Sequence, residues 1–65
     1  MSVAKIIELT STGSTIEEAV RSGVEKASET VRNIQHVYVD GIEAFCDGSA
    51  VSTFHVHLKL TFVID

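Results

Sequence analysis

A 65-residue chain with nine acidic and five basic side chains, a formal charge of -4 and Cys46 as its one cysteine has no intrachain disulfide framework, which points to a reducing, cytoplasmic setting. Its scattered basic residues argue against a nucleic-acid partner. No apolar run approaches the roughly 18 residues of a transmembrane helix, and Met1 to Thr10, carrying Lys5 and Glu8, lacks the features of a secretory signal. The chain reads as a single domain over residues 1–65, and one so small buries only about 60% of its unfolded surface. With a disulfide set excluded, it normally needs a metal or a partner to be stable.

Val3 to Leu9 is expected to form a short strand, with Val3, Lys5, Ile7 and Leu9 on one face and Ala4, Ile6 and Glu8 on the other. The turn-rich Thr10 to Ser14 then leads into a helix. Ser14 with Glu17, and Thr15 with Glu18, have the capping-box spacing, and both glutamates suit the positive end of the helix dipole. A phosphate site at this turn is not indicated, because it holds one glycine and no lysine. Ile16, Ala19, Val20, Val24, Ala27 and Val31 recur at three- and four-residue steps, predicting a helix from about Thr15 to Arg32 that Asn33 ends. Gly23 shares this stripe, where it allows a close backbone approach. Glu17, Glu18, Glu25 and Glu29 fall on the wet side among Arg21, Lys26 and Arg32.

Gln35 to Phe45 reads as a second strand, with Val37 and Val39 on one face and His36, Tyr38 and Asp40 on the other. Gly41 marks a bulge or bend. Asp47-Gly48 is a hairpin signal that leads into the longest element. From Ala50 to Ile64 the even positions are mostly apolar, including Phe54, Val56, Leu58, Leu60, Phe62 and Ile64. The odd positions carry Thr53, His55, His57, Lys59 and Thr61. At ~3.3 Å per residue this strand spans about 50 Å, whereas a compact chain of this size has a radius of gyration near 11 Å. The fold class is α+β, in the order β-α-β-β, with strand three between the other two and the helix on the even face. Part of that face must overhang, so the chain is expected to be a homo-oligomer.

No Ser-His-Asp, Cys-His or paired-carboxylate arrangement emerges from the spacing, so no catalytic activity is expected. The histidines are the informative side chains. His55 and His57 project from one strand face about 7 Å apart, a spacing at which two imidazoles can share a metal ion. His-x-His alone is a weak motif, and most such pairs on a wet strand face are merely solvated.

The β-α-β-β order, the Thr10-to-Glu17 capping turn followed by Glu18-Ala19-Val20, the Ala27-x-x-Thr30-Val31-Arg32-Asn33 segment and the Val56-x-Leu58-Lys59-Leu60-x-Phe62 strand together resemble the dodecins over essentially the whole chain. The resemblance implies a three-stranded antiparallel sheet wrapped around one helix, and twelve subunits closed into a hollow shell. It further implies a non-catalytic function, the binding, storage and quenching of flavins held in stacked pairs at two-fold axes. The family's ring-stacking tryptophan and edge-binding glutamine fall at His36 and His55, which become the expected flavin contacts, with Phe45 lining the mouth. Dodecins that take phosphorylated flavins carry arginines where this chain has Glu43 and Val63, so a riboflavin-like ligand is expected rather than FMN. The alternative is a dodecin-like shell that holds a metal ion at two-fold sites lined by His36, His55 and His57.

Overall fold

The computed structural model describes residues 3–64; the outer limits of the expected domain, at residues 1 and 65, lie outside the described residues. The longest strand, β3 (Ala50–Ile64), runs the full predicted length of 15 residues. It gives the chain extents of 52 × 19 × 13 Å and a radius of gyration of 13.5 Å. Val56, Leu58 and Leu60 on its even face are the largest fully buried side chains. They are central because β3 is flanked on both sides, giving the antiparallel order β1-β3-β2.

The first strand, β1 (Val3–Gly13), has 11 residues and so continues four residues past the expected end at Leu9. Thr10 to Gly13 pair with His57 to Phe54, because a β-branched and serine run opposite a long strand gains more as a ladder than as a loop. Only Ser14 and Thr15 are left to turn the chain. Lys5, Ile7 and Leu9 lie opposite Phe62, Leu60 and Leu58, on the apolar face as expected.

The helix, α1 (Ile16–Ala27), has 12 residues and spans about 18 Å. Thr15 is the N-cap, and its hydroxyl accepts from the Glu18 backbone N–H at 3.0 Å. The other expected capping pair does not form. Ser14 donates instead to the Glu18 carboxylate at 2.7 Å, while Glu17 pairs with Arg21 four residues on. The expected end at Arg32 also shifts, since regular helix stops at Ala27. Beyond it Ser28 bonds back to the Glu25 carbonyl, and the Glu29 and Thr30 amides reach carbonyls only three residues behind. The Ser28 and Thr30 hydroxyls compete for those carbonyls, and the β-branched Thr30 and Val31 resist the regular helix.

Ala19, Gly23 and Ala27 form the buried stripe of α1. A Cβ on Gly23 would lie 2.7 Å from Leu58 Cδ1, 3.1 Å from Ser11 Cβ and 3.2 Å from Leu9 Cδ1. The glycine thus seats the helix against β1 and β3, as the sequence predicted. Ile16, by contrast, is exposed although it belongs to the apolar stripe.

Asn33 lies six residues past Ala27, the end of α1, and begins the return to the sheet. It adopts a left-handed φ of 62°, a conformation asparagine tolerates better than most residues. Its carbonyl accepts from the Val63 amide at 3.2 Å. Its side-chain amide donates to the Val63 carbonyl. So anchored, β2 (Ile34–Asp47) pairs with β3 through three register shifts, between Ile34 and His36, between Val39 and Gly41, and between Phe45 and Cys46.

The second shift is the bulge expected at Gly41. In the third, Ser52 is passed over, its hydroxyl bonds the Phe45 carbonyl at 3.0 Å, and Val51 comes opposite Cys46 rather than keeping the odd-numbered alternation. The hairpin closes with Asp47 opposite Ala50, so Gly48 and Ser49 are the central turn residues. Gly48 has φ +66°, as a glycine at the first central position of a tight hairpin turn requires.

Leu58→Ala and Leu60→Ala are each expected to lower stability by about 2–5 kcal/mol, whereas Thr53→Ala, on the exposed half of β3, costs no more than about 1 kcal/mol. Thermal melts that placed Thr53→Ala lowest would invert the facing of β3. Gly23→Val is expected to cost at least about 1–3 kcal/mol through overpacking against Leu58 and Leu9, measurable by denaturant titration.

Candidate functional site

The bulges decide which side chains share a face. Residues paired across an antiparallel ladder point to the same side of the sheet, so the odd positions of β3 define one polar face. His36 pairs with Thr61, although Ile34 two residues earlier pairs with Phe62. The residue inserted between them, Gln35, is what moves His36 onto the polar side. At Gly41 the same device acts again. Val39 sits opposite Leu58 on the apolar face, and after the extra residue Asp40 the partners become Gly41 with His57, Glu43 with His55, and Phe45 with Thr53. Without that bulge Glu43 and Phe45 would lie on the apolar side.

His55 and His57 share this face as expected. They do not converge on a common point. The His57 ring lies across the sheet, with Nδ1 3.0 Å from the Thr10 hydroxyl on β1 and Nε2 2.8 Å from Glu43 Oε1 on β2. In the neutral tautomer with hydrogen on Nε2, the ring donates to the carboxylate and accepts from the threonine hydroxyl, so all three groups are satisfied at once. A Cβ at position 41 would stand 3.2 Å from His57 Cδ2. Glycine is what lets the imidazole lie down over the bulge.

His55 stands next to this network and makes a different contact. Its ring stacks on Phe45 with centroids 4.1 Å apart and planes tilted by 38°. Phe45 is itself 45% exposed, so the pair presents an aromatic surface near the hairpin end of the sheet. His36 is also exposed and lies toward the opposite end, opposite Thr61 rather than Thr53. The six-residue separation along β3 between Thr61 and His55 amounts to about 20 Å. One chain therefore does not bring His36 and His55 together, and a ligand contacting both must lie between copies.

Among the described residues no three His, Cys, Asp or Glu side chains are grouped so as to hold a metal ion. Lys59 reaches Asp40 at 3.7 Å, which sets the cation of this face against its own carboxylate. The partners of His57, Thr10 and Glu43, were not anticipated from the sequence. Alternation carried past Gly41 puts Glu43 on the wrong face, and only the expected bulge, followed through residue by residue, would have corrected it. Cys46 is a free, exposed thiol near the turn.

The family model for dodecin matches residues 3–65 of the chain. Among solved structures, dodecin from Streptomyces coelicolor superposes with a TM-score of 0.91 at 26% identity, over 98% of this chain and 93% of that one. An arginine-to-alanine variant of the Thermus thermophilus dodecin gives 0.93 at 24% identity, over 100% and 98%. The dodecin from Streptomyces davaonensis gives 0.91 at 20% identity, over 98% and 96%. No curated protein matches the chain significantly. No helix among the described residues is long and apolar enough to cross a membrane. A family match over nearly the whole length, and a β-α-β-β fold that superposes on dodecins end to end, make this chain a member of the dodecin family.

Proposed function

We propose that this chain is a non-catalytic flavin-binding protein that stores or buffers flavin inside a closed homododecamer. The observation that carries the reading is the set of rings on the polar face, His36 and Phe45 exposed and His55 half-buried. His36 and the His55–Phe45 stack offer flat surfaces at two ends of one sheet, and the hydrogen bonds within the described residues leave the His36 and His55 ring nitrogens unengaged. A flavin suits such a surface, because its ring system is flat and apolar with a hydrogen-bonding edge. His36 stacks on the ring and His55 bonds its pyrimidine edge. Phe45 lines the mouth and, by stacking, sets the plane of the His55 imidazole.

The assembly follows from the uncovered apolar surface. Val39 and Ile42 are 36% and 50% exposed on the even face, beyond the reach of α1. A closed ring of copies covers such surface and brings His36 of one copy toward His55 of another. The ligand is riboflavin-like rather than FMN, since Glu43 and Val63 stand where phosphate-binding members of the family carry arginine, and neither side chain attracts a phosphate. The single exposed thiol suits a reducing cytoplasm. The metal alternative asks more of the residues. His57 already has both nitrogens engaged by Thr10 and Glu43, so a metal ion would have to draw its donors from His36 and His55 of different copies.

Light scattering is expected to give a single species of about twelve subunits, and a stable monomer of 7.0 kDa would remove the shell. Riboflavin is expected to bind wild type with quenching of its fluorescence, weakly because imidazole stacks over less area than indole. His36→Trp should tighten binding at least several-fold, given ~0.5–1.5 kcal/mol for an aromatic pair beyond area burial. His36→Ala and His55→Ala should weaken it. Riboflavin affinity unchanged in both alanine variants would put the pocket elsewhere. Uptake of zinc or nickel without riboflavin, lost in His36→Ala, would establish the metal alternative instead.

A further inference from the structure

One carboxylate sits at the centre of the polar face with its position set from three strands. Glu43 is directly opposite His55 in the β2–β3 register. Its Oε1 is held 2.8 Å from His57 Nε2, and His57 is held in turn by Thr10 at 3.0 Å. Gly41 leaves room for the ring that makes this link. Lys59 on the same face is engaged by Asp40 at 3.7 Å and so does not offset the Glu43 charge. The Glu43 carboxylate thus stands on the rung that also bears His55, next to the His55–Phe45 stack.

We propose that Thr10, His57 and Glu43 form a positioning relay that fixes a negative charge beside His55, and that this charge restricts the His55–Phe45 site to flavins without a phosphate. The inference rests on the flavin reading and adds to it a cause of selectivity. An arginine missing from a site merely fails to attract an anion. A carboxylate held in place repels it. A freely rotating glutamate would swing away from an incoming phosphate and into solvent, whereas one bonded to a ring that is itself bonded to β1 must break that bond first. Thr10 and His57 act only through Glu43, and Glu43 is the group that meets the ligand's charge.

Riboflavin and FMN present the same ring and differ by one phosphate ester, so the ratio of their dissociation constants isolates the charge effect. Both are titrated by fluorescence quenching into wild type, Glu43→Gln and His57→Gln at neutral pH, at low and high ionic strength, with assembly checked by light scattering. Wild type is expected to favour riboflavin by about ten-fold or more at low salt, as Coulomb repulsion at contact range predicts. Glu43→Gln should bring the ratio to within about two-fold. His57→Gln keeps the carboxylate but frees it, and should give an intermediate ratio of about three-fold. High salt should compress the wild-type ratio and leave that of Glu43→Gln unchanged.

If His57 were merely structural, its replacement would weaken both ligands alike and leave the ratio untouched. That outcome overturns the relay, as does a wild-type ratio near one or a ratio that Glu43→Gln does not move. Absence of riboflavin binding in wild type overturns the flavin reading and this inference with it; riboflavin binding with a flat ratio overturns the relay alone.

Discussion

A 15-residue strand covered by a 12-residue helix leaves about 30 Å of sheet length without a helical lid, and no rearrangement inside one chain removes that mismatch. Everything else in the molecule accommodates it. The two flanking strands grow to 11 and 14 residues because a long central strand has backbone groups to satisfy along its whole length. The core shrinks to a short zone beneath α1, where Ala19, Val56 and Leu58 pack with Leu9, Val20 and Val37. The small residues Ala19, Gly23 and Ala27 bring the helix close enough for that zone to be dry. Stability is thus concentrated in one third of the sheet.

The polar face is organised by irregularities rather than by the regular ladder. Each insertion in β2 re-aims the residues that follow it, so His36 is exposed through Gln35, and Glu43 and Phe45 reach the histidines through Asp40. Without the Gln35 insertion His36 would lie on the apolar side with Ile34, and without the Asp40 insertion the register of Val39 would carry Glu43 opposite Phe54 on that same side. The bulges therefore cost ladder bonds and return a site, a trade commonly found where a strand must aim side chains at a ligand. Asn33 supports the first of these, since its left-handed turn and its double contact with Val63 fix where β2 begins.

These irregularities also mark where sequence reasoning stops. The alternation of Phe54 to Phe62 is long and unmixed, so β3, its facing and its central position were legible residue by residue. Gly23 was readable as a close approach because a glycine on an apolar stripe has few other reasons to be there. The ends of β1 and α1 were not, since Thr10 to Gly13 and Ser28 to Val31 are turn-like or β-branched segments whose state is set by what lies opposite them. The family resemblance singled out His36, His55 and Phe45 as candidate site residues. The Thr10–His57–Glu43 network was hidden because its three members lie on three different strands and meet only through a register that two bulges reset.

The same bulges give the two borders of the sheet unlike characters. β2 is an outer strand interrupted at Gln35 and Asp40, with a third shift near its turn, so its free backbone groups do not present an even row to another chain. β1 is the opposite border, and its pairing with β3 runs from Val3 to Gly13 without a single slip. An even border of this kind is a template for further strand addition, while a broken one resists it. Sheet extension between molecules, whether in ordered assembly or in aggregation after partial unfolding, is accordingly directed to the β1 side, and a proline or lysine introduced there would act on association before it acted on the fold.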